Sequence, residues 1–587
     1  MKQKKNMSTL GFILSAIGAA VGLGNIWRFP THLMNHGGPA FLIPYLIAVL
    51  CLGLPLLILE INLGHKWRKA PTLFYSKYFG KHGRSFAWLQ AGIQLLLGTF
   101  YAIIVSWVLI SAFSSLGIIE GFSLKEMQNS KFFDKKITLN DTVGDKALGN
   151  FSWIVFGGFA IIIFLAILIV GGGLTGGIEK VNKVMVPFLF LIITGFFIYS
   201  LTFENAGVGI RAIFEPKFAK LVNPDAWKAA FGQALFTLSL GVSIIVIYSS
   251  AAPESGDNTN RAITIMAGDT LVALLACVIV GATLGYGLGT DSDGESRLFV
   301  SALTKTDSTD PNNVVKTIMI QEGLADWSNV TDPFINNAKI TTSEVIAYKE
   351  TVPGVVGTAN AAGESVKLEA FTGGPTLIFR ALPVTFHRIS GAGTNDEANI
   401  IGKALAFLFF LAVFFAAMSS MISLFEPTVS NLVQGYGLKR IHGVLIAGIF
   451  TFVFGFWFSF GGSENVFFSI SDGMFTTQLL LISAILEIFF VAICWKKLKP
   501  ILEHNNKNSM FKLGRWFQFL LGFSFLLTLA IFGYGIFGFI NNIPLVDSAH
   551  KNFYWGIGVA NYLVPFLILV VGFGYLWKGK PKKEIKN

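Results

Sequence analysis

Residues 9–34 read TLGFILSAIGAAVGLGNIWRFPTHLM. The stretch is apolar and long enough to cross a bilayer, which takes about 20 residues of helix. Its middle, Gly18-Ala19-Ala20-Val21-Gly22-Leu23-Gly24-Asn25, holds a helix poorly. Each Gly costs an interior helix about 1 kcal/mol relative to Ala. Unwound backbone is tolerated at mid-membrane only where it lines a cavity or is buried in protein. There its free N–H groups can hold an anion and its free carbonyls a cation. Small residues also serve plain helix–helix packing, but the polar Asn25 favours the unwound reading. A second stretch repeats the pattern. Within 226–250, Thr237-Leu238-Ser239-Leu240-Gly241 again sets glycine beside small polar residues.

The rest of the chain belongs to the same class. Of its 587 residues, 53% are hydrophobic and only 13% charged, about half the usual share. Mean hydropathy is +0.62. Such a composition excludes a disordered chain and a secreted disulfide scaffold. Apolar segments lie near 9–34, 38–63, 87–115, 152–171, 180–202, 226–250, 262–288, 399–428, 440–459, 463–494, 514–538 and 552–577. These runs are too long and too continuous for the alternating strands of a membrane barrel. The expectation is an all-α polytopic membrane protein with twelve transmembrane helices. Met1-Lys2-Gln3-Lys4-Lys5 leads into the first run without a small-residue cleavage site, so a first span is expected rather than a removed signal. Cys51, Cys277 and Cys494 are too scattered for a zinc site or a disulfide framework.

The net charge of +11 follows topology rather than nucleic-acid binding. Lys2, Lys4 and Lys5 precede the first span. Lys66, Arg68, Lys69, Lys77, Lys81 and Arg84 follow the second, and Lys496, Lys497, Lys499, Lys507 and Lys512 follow the tenth. Lys578, Lys580, Lys582, Lys583 and Lys586 end the chain. With twelve spans all four groups fall on one face, and basic loops mark the cytoplasmic face. Both termini are therefore expected inside a cell-membrane protein. Residues 116–151 and 290–372 become outer segments, the second too long for a plain connection.

Five acids sit inside apolar segments: Glu60, Asp269, Glu426, Asp472 and Glu487. An ionised side chain at mid-bilayer costs about 2.5–3.5 kcal/mol on insertion scales. Each needs a partner, an ion or water. Glu60 and Glu487 are expected either to accept from N–H groups freed at the helix breaks or to contact substrate directly. Arg28, just past the first break, is expected to pair with Asp472.

Several strings carry a resemblance. Ala20-Val21-Gly22-Leu23-Gly24-Asn25-Ile26-Trp27-Arg28-Phe29-Pro30 and Asn35-His36-Gly37-Gly38-Pro39-Ala40-Phe41 resemble the first two spans of the neurotransmitter:sodium symporters. Gly232 to Gly241 resembles their sixth span, and Ala416-Ala417-Met418-Ser419-Ser420 their eighth. The likeness covers the chain apart from about 290–370. The association of paired helix breaks with a mid-membrane site is itself known in part from this family. The resemblance implies a five-plus-five inverted repeat of the leucine-transporter type. Residues 1–202 would hold the first repeat, 203–494 the second with the outer insertion, and 495–587 two further spans and the tail.

The resemblance also implies a site. Two sodium ions are expected. The first would meet Ala20, Asn25, Thr237 and Asp269, and the second Gly18, Val21, Ala416, Ser419 and Ser420. Such oxygen ligands suit a hard monovalent cation. The N–H groups of Leu23 and Gly24, with Tyr101, would hold a substrate carboxylate. Phe236 would cap the pocket, and Ser239 with the Phe236 and Thr237 carbonyls would face the ammonium. Leu97, Val242, Ser420 and Leu424 would surround the side chain. Arg28 and Asp472 would form an outer gate, and the Gly177–Pro187 spacing resembles a motif that lets water reach the second sodium from inside. At the inner gate the chain departs from the family. Gln3-Lys4-Lys5-Asn6 and Gln434 stand where an ion pair is usual.

Two positions speak to substrate. Members that carry biogenic amines have Asp where this chain has Gly22. The expected substrate is therefore an amino acid, and the apolar lining makes it neutral and hydrophobic. Val242 replaces a larger Phe and leaves room for a bulkier side chain. Asp269 places a fixed carboxylate beside the first sodium, so chloride is not expected to be required, and it could take up a proton once sodium leaves. The reading is thus a sodium-coupled amino-acid symporter in a lipid bilayer. A non-transporting amino-acid sensor on the same fold is the alternative. An enzyme is not expected, because no phosphate loop, metal cluster or nucleophile–histidine motif is present in the sequence.

Overall fold

The computed structural model describes residues 6–127, 132–139, 149–203, 206–214, 216–254, 256–287, 300–307, 310–320, 366–368, 376–391, 398–461, 474–505, 509, 512–541 and 564–576. We label the membrane-embedded helices in chain order. The first two are α1 (Thr9–Ala20) and α2 (Gly24–Asn35), which meet at a 51° bend. Next come α3 (Gly38–Trp67), α4 (Pro71–Ser115), α5 (Trp153–Gly171) and α6 (Leu174–Ser200). Then follow α7 (Pro224–Thr237), α8 (Ile244–Ser250) and α9 (Asn258–Thr283). The last four are α10 (Ile400–Gly435), α11 (Arg440–Ser459), α12 (Met474–Ile493) and α13 (Arg515–Gly535). Among the described residues nine helices, α3–α6 and α9–α13, are each long and apolar enough to cross a membrane. The bent pair α1–α2 passes the same test as one unit. Of the segment expected at 552–577, residues 564–576 are described and helical.

Burial, not hydropathy, separates the central helices from the peripheral ones. In α4, 94% of the apolar window is buried, against 39% in α5 and 28% in α13. Helix α4 packs along α10 and against α5, while α8 packs on α3 and α1 on α6. The outer helices turn Phe164, Leu168, Leu191, Ile198, Phe519 and Leu526 away from the protein, where lipid tails are the apolar partner. The helical run of α4 starts well before the apolar segment at 87–115. Gly80 separates its two arms with φ +55°, a left-handed conformation that glycine adopts without a Cβ penalty.

Among the described residues the apolar segments are helical apart from the two breaks described below. In the 290–372 segment, β1 (Val300–Asp307), β2 (Asp310–Ile320) and β3 (Val366–Leu368) pair antiparallel in the order β2–β1–β3. That segment therefore contains a small sheet, which its sequence did not announce. None of the three cysteines forms a disulfide among the described residues.

The described start of the chain, from Asn6, is tied down by polar contacts. Ser8 caps α1 by accepting from the Gly11 N–H at 2.9 Å, and both its N–H and its hydroxyl donate to Glu179. The Met7 N–H donates to the Ala251 carbonyl at 2.8 Å. The Arg68 guanidinium reaches Asn6 at 3.3 Å, and Gln434 accepts from the Ala70 N–H at 2.9 Å. Gln434, expected at an inner gate, thus serves a backbone N–H. Gln3, Lys4 and Lys5 lie outside the described residues.

Glu426 shows how one membrane acid is satisfied. It is fully buried in α10 and pairs with the Arg440 guanidinium at the start of α11. It also accepts from the Ser430 hydroxyl at 2.8 Å. Arg440 Nε donates to the Val170 carbonyl at 2.8 Å, which joins the end of α5 to the same cluster. Removing one partner strands a buried charge, whereas removing both does not. Arg440→Met should lower stability by about 3 kcal/mol, and the double variant Arg440→Met/Glu426→Leu should recover most of it. Thermal melting of the purified protein in detergent measures both.

Candidate functional site

The first break begins where α1 ends. Val21 has φ −73° and ψ 101°, so its carbonyl leaves the helical direction. The Gly22 N–H donates to Asn25 Oδ1 at 3.0 Å, and the Leu23 N–H donates to the Tyr101 hydroxyl at 3.3 Å. The glycines here are demanded by close approach. A Cβ on Gly22 would stand 2.5 Å from Ser420 Oγ and 3.0 Å from the Tyr101 hydroxyl. A Cβ on Gly24 would stand 2.7 Å from the Phe236 ring. An Asp at position 22, the amine-carrier residue, has no room in this packing.

The second break lies between α7 and α8. Ser239, Gly241 and Ser243 all have positive φ, at 53°, 73° and 66°. For a non-glycine residue this costs of order 1–3 kcal/mol and persists only when the surroundings fix it. The surroundings do so here. The Ser239 hydroxyl donates to the Ala19 carbonyl at 2.8 Å, which ties the two breaks together. The Gly241 N–H donates to Glu60 Oε1 at 2.6 Å. The Gly241 carbonyl accepts from Gln90 Nε2 at 3.1 Å and from the Ser483 hydroxyl. Ser243 donates to Gln90 Oε1.

Glu60 therefore performs the expected task. Glu487 does not contact the break directly. It accepts from Gln90 Nε2 at 3.0 Å and from the Tyr75 hydroxyl at 3.3 Å, because Gln90 stands between it and Gly241. Gln90, Ser483 and Tyr75 are supports that the sequence reading missed.

Next to the first break is a buried carboxylate. Asp269 accepts from Asn25 Nδ2 at 2.8 Å and from the Thr237 hydroxyl at 2.9 and 3.0 Å. Asn25, Thr237 and Asp269 are all buried. Among the described residues no Lys, Arg or His pairs with Asp269. A buried carboxylate without a positive partner is strongly disfavoured. The oxygen-rich surroundings, with Ala20 at the adjoining break, suit a hard monovalent cation and not a soft metal.

A second oxygen cluster lies where α1 meets α10. The Ser419 hydroxyl donates to the Ala416 carbonyl at 2.9 Å, and the Ser420 hydroxyl to the Gly18 carbonyl at 3.3 Å. With Val21 at the end of α1, the five expected residues thus come from two helices that meet here. Asn182 of α6 joins them, unforeseen. Its Oδ1 would lie 3.1 Å from a Cβ on Gly18, and neither end of its buried amide has a hydrogen-bond partner among the described residues. Pro187 lies inside the same helix rather than at its start, and Gly177 sits in a π-helical turn from Leu174 to Ile178.

Between the two breaks is a small cavity of about 30 Å³. Gly24, Leu97, Tyr101, Phe236, Ser239, Val242, Ser420 and Leu424 line it as expected. Leu23 takes part through its N–H to Tyr101, while Thr237 is turned to Asp269. Ala19, Ala20, Gly22, Gln94, Leu235 and Leu480 complete the wall. Above the cavity Arg28 bonds to Gln233 and Thr476, both at 2.9 Å, and its guanidinium lies 5.1 Å from the centre of the Phe236 ring. Its expected partner Asp472 lies outside the described residues.

Residues 3–119 and 119–578 match the model of the sodium:neurotransmitter symporter family. An uncharacterized sodium-dependent transporter of Methanocaldococcus jannaschii is 29% identical over 523 residues, covering 89% of this chain and 88% of that protein. One from Bacillus subtilis is 27% identical, covering 92% and 98%. A human sodium-dependent neutral amino acid transporter is 27% identical over 48% of this chain and 40% of its own length. Among solved structures, MhsT in complex with L-phenylalanine superposes with a TM-score of 0.64 at 21% identity, over 90% of this chain and 99% of that one.

The acceptor at Gly241 gives a stability test. Glu60→Leu strands a buried N–H and should cost about 1–3 kcal/mol. Glu60→Gln keeps an acceptor and should cost less. Melting temperatures in detergent should fall in the order wild type, Gln, Leu.

Proposed function

Because the chain belongs to the sodium:neurotransmitter symporter family, we propose that it is a sodium-coupled symporter that imports a neutral, apolar amino acid by alternating access. The observation that supports this most is Asp269, a buried carboxylate with no cationic partner among the described residues, set beside Asn25, Thr237 and an unwound backbone. A sodium ion there would supply the missing charge, and the next negative group it could attract is the substrate carboxylate. The Leu23 N–H and the Tyr101 hydroxyl, already within 3.3 Å of each other, are placed to take that carboxylate. The Gly18, Val21, Ala416, Ser419 and Ser420 oxygens would hold a second sodium. Loading both ions would thus bind substrate and join α1, α2, α7 and α9 into one unit.

In this reading twelve spans cross the cell membrane with both termini inside, and the first and sixth are discontinuous. The two repeats run over 1–202 and 203–494. The named neutral amino-acid specificity of the human relative and the phenylalanine in MhsT agree with an apolar substrate. The fixed carboxylate of Asp269 makes chloride unnecessary. Ion binding and alternating exposure, not covalent chemistry, carry the activity. Arg28 would close the outer side over Phe236.

Purified protein in proteoliposomes should accumulate a labelled neutral amino-acid pool under an inward sodium gradient without chloride. A choline gradient should give none. Equal uptake in choline would sink the symporter reading. Asp269→Asn should lose chloride-free uptake by at least about tenfold, or recover it only with chloride added. Unchanged uptake would reject Asp269 as the charge that replaces chloride. Gly22→Ala should abolish substrate binding and lower the melting temperature, since its methyl group enters the space between Ser420 and Tyr101. Radioligand binding beside a melting curve checks this.

A further inference from the structure

Gln94 lies on α4 one turn before Leu97 and two turns before Tyr101, so the three share a face. All three line the cavity. The two-turn separation sets Gln94 about 10 Å along the helix axis from the residue placed at the substrate carboxylate. Gln94 is only 3% exposed, and its Oε1 has no hydrogen-bond partner among the described residues. The contrast with Gln90 on the same helix is informative. Gln90 is spent on Gly241, Ser243 and Glu487, so it is structural. The Oε1 of Gln94 is not used in holding the fold together among the described residues.

A buried amide in an apolar wall is costly unless something pairs with it. Leu97, on the same face of α4 between Gln94 and Tyr101, joins Val242 and Leu424 as apolar lining of the cavity, beside the hydroxyls of Ser239 and Ser420. A substrate that satisfies Gln94 must therefore be apolar in its middle and carry a hydrogen-bonding group at its far end. Serine and threonine are too short for this. An aromatic ring bearing a donor has both the length and the apolar body. A phenol hydroxyl both donates and accepts, so it pairs with the amide whichever way the amide is turned; an indole N–H donates to Oε1.

We propose that Gln94 determines specificity and that the preferred substrate is an aromatic amino acid carrying a hydrogen-bond donor, tyrosine or tryptophan, over phenylalanine or leucine. This rests on the amino-acid reading of the cavity. A site built to bond a substrate O–H or N–H discriminates strongly against the analogue that lacks it.

Equilibrium binding of labelled L-tyrosine, L-tryptophan, L-phenylalanine and L-leucine to the purified full-length protein in sodium tests this. Tyrosine or tryptophan should bind at least about tenfold more tightly than phenylalanine. In Gln94→Leu that preference should disappear, and phenylalanine should bind as well as or better than in wild type. Phenylalanine or leucine binding as tightly as both donors in wild type would overturn the proposal, and that result needs no variant. An unchanged order in Gln94→Leu would also overturn it, because water rather than substrate would then satisfy the amide. Loss of sodium-dependent binding for all four and for a mixed amino-acid pool would instead reject the symporter reading beneath it.

Discussion

A lipid interior offers no water to an unpaired peptide group, and this constraint organises the molecule. The helical run is interrupted between α1 and α2 and between α7 and α8, and the N–H and carbonyl groups released there need a partner. At the second break the protein supplies the partners. Glu60 takes the Gly241 N–H, while Gln90 and Ser483 take its carbonyl. These groups come from three other helices, so the break is held in place by the bundle around it. The Ser239 bond to Ala19 carries the same support to the first break.

At the first break the released groups meet side-chain hydroxyls: the Leu23 N–H donates to Tyr101, and the Gly18 and Ala19 carbonyls accept from Ser420 and Ser239. Asp269 adds a carboxylate that no Lys, Arg or His pairs with among the described residues. In the proposed reading a cation and a substrate carboxylate would complete the arrangement, each lowering the cost of burying the other.

Much of this was legible in the sequence. The apolar runs give the spans, and glycines beside Asn25, Thr237 and Ser239 mark the breaks. The positions around both oxygen clusters came from the resemblance, and the structure brings them together. What was not legible has a common cause. Gln90, Gln94, Ser483, Tyr75 and Asn182 are polar residues on membrane helices, and helical periodicity alone does not say what each one faces. Gln90 and Gln94 differ by one turn of α4, yet one pairs with the unwound backbone and the other lines the cavity. Glu487 was assigned to the break from its residue type, but Gln90 intervenes between them. The small outer sheet escaped notice because residues 290–372 have no clear period.

The central claim is that the two oxygen clusters beside the first break, one shared with Thr237 and Asp269 and one with α10, are cation sites. Hydrogen–deuterium exchange of the purified protein, compared in sodium and in choline, tests it most directly. The account predicts slower exchange over residues 20–25 and 237–243 in sodium alone, and slower still when amino acid is added. Equal exchange in the two salts at both breaks would contradict it.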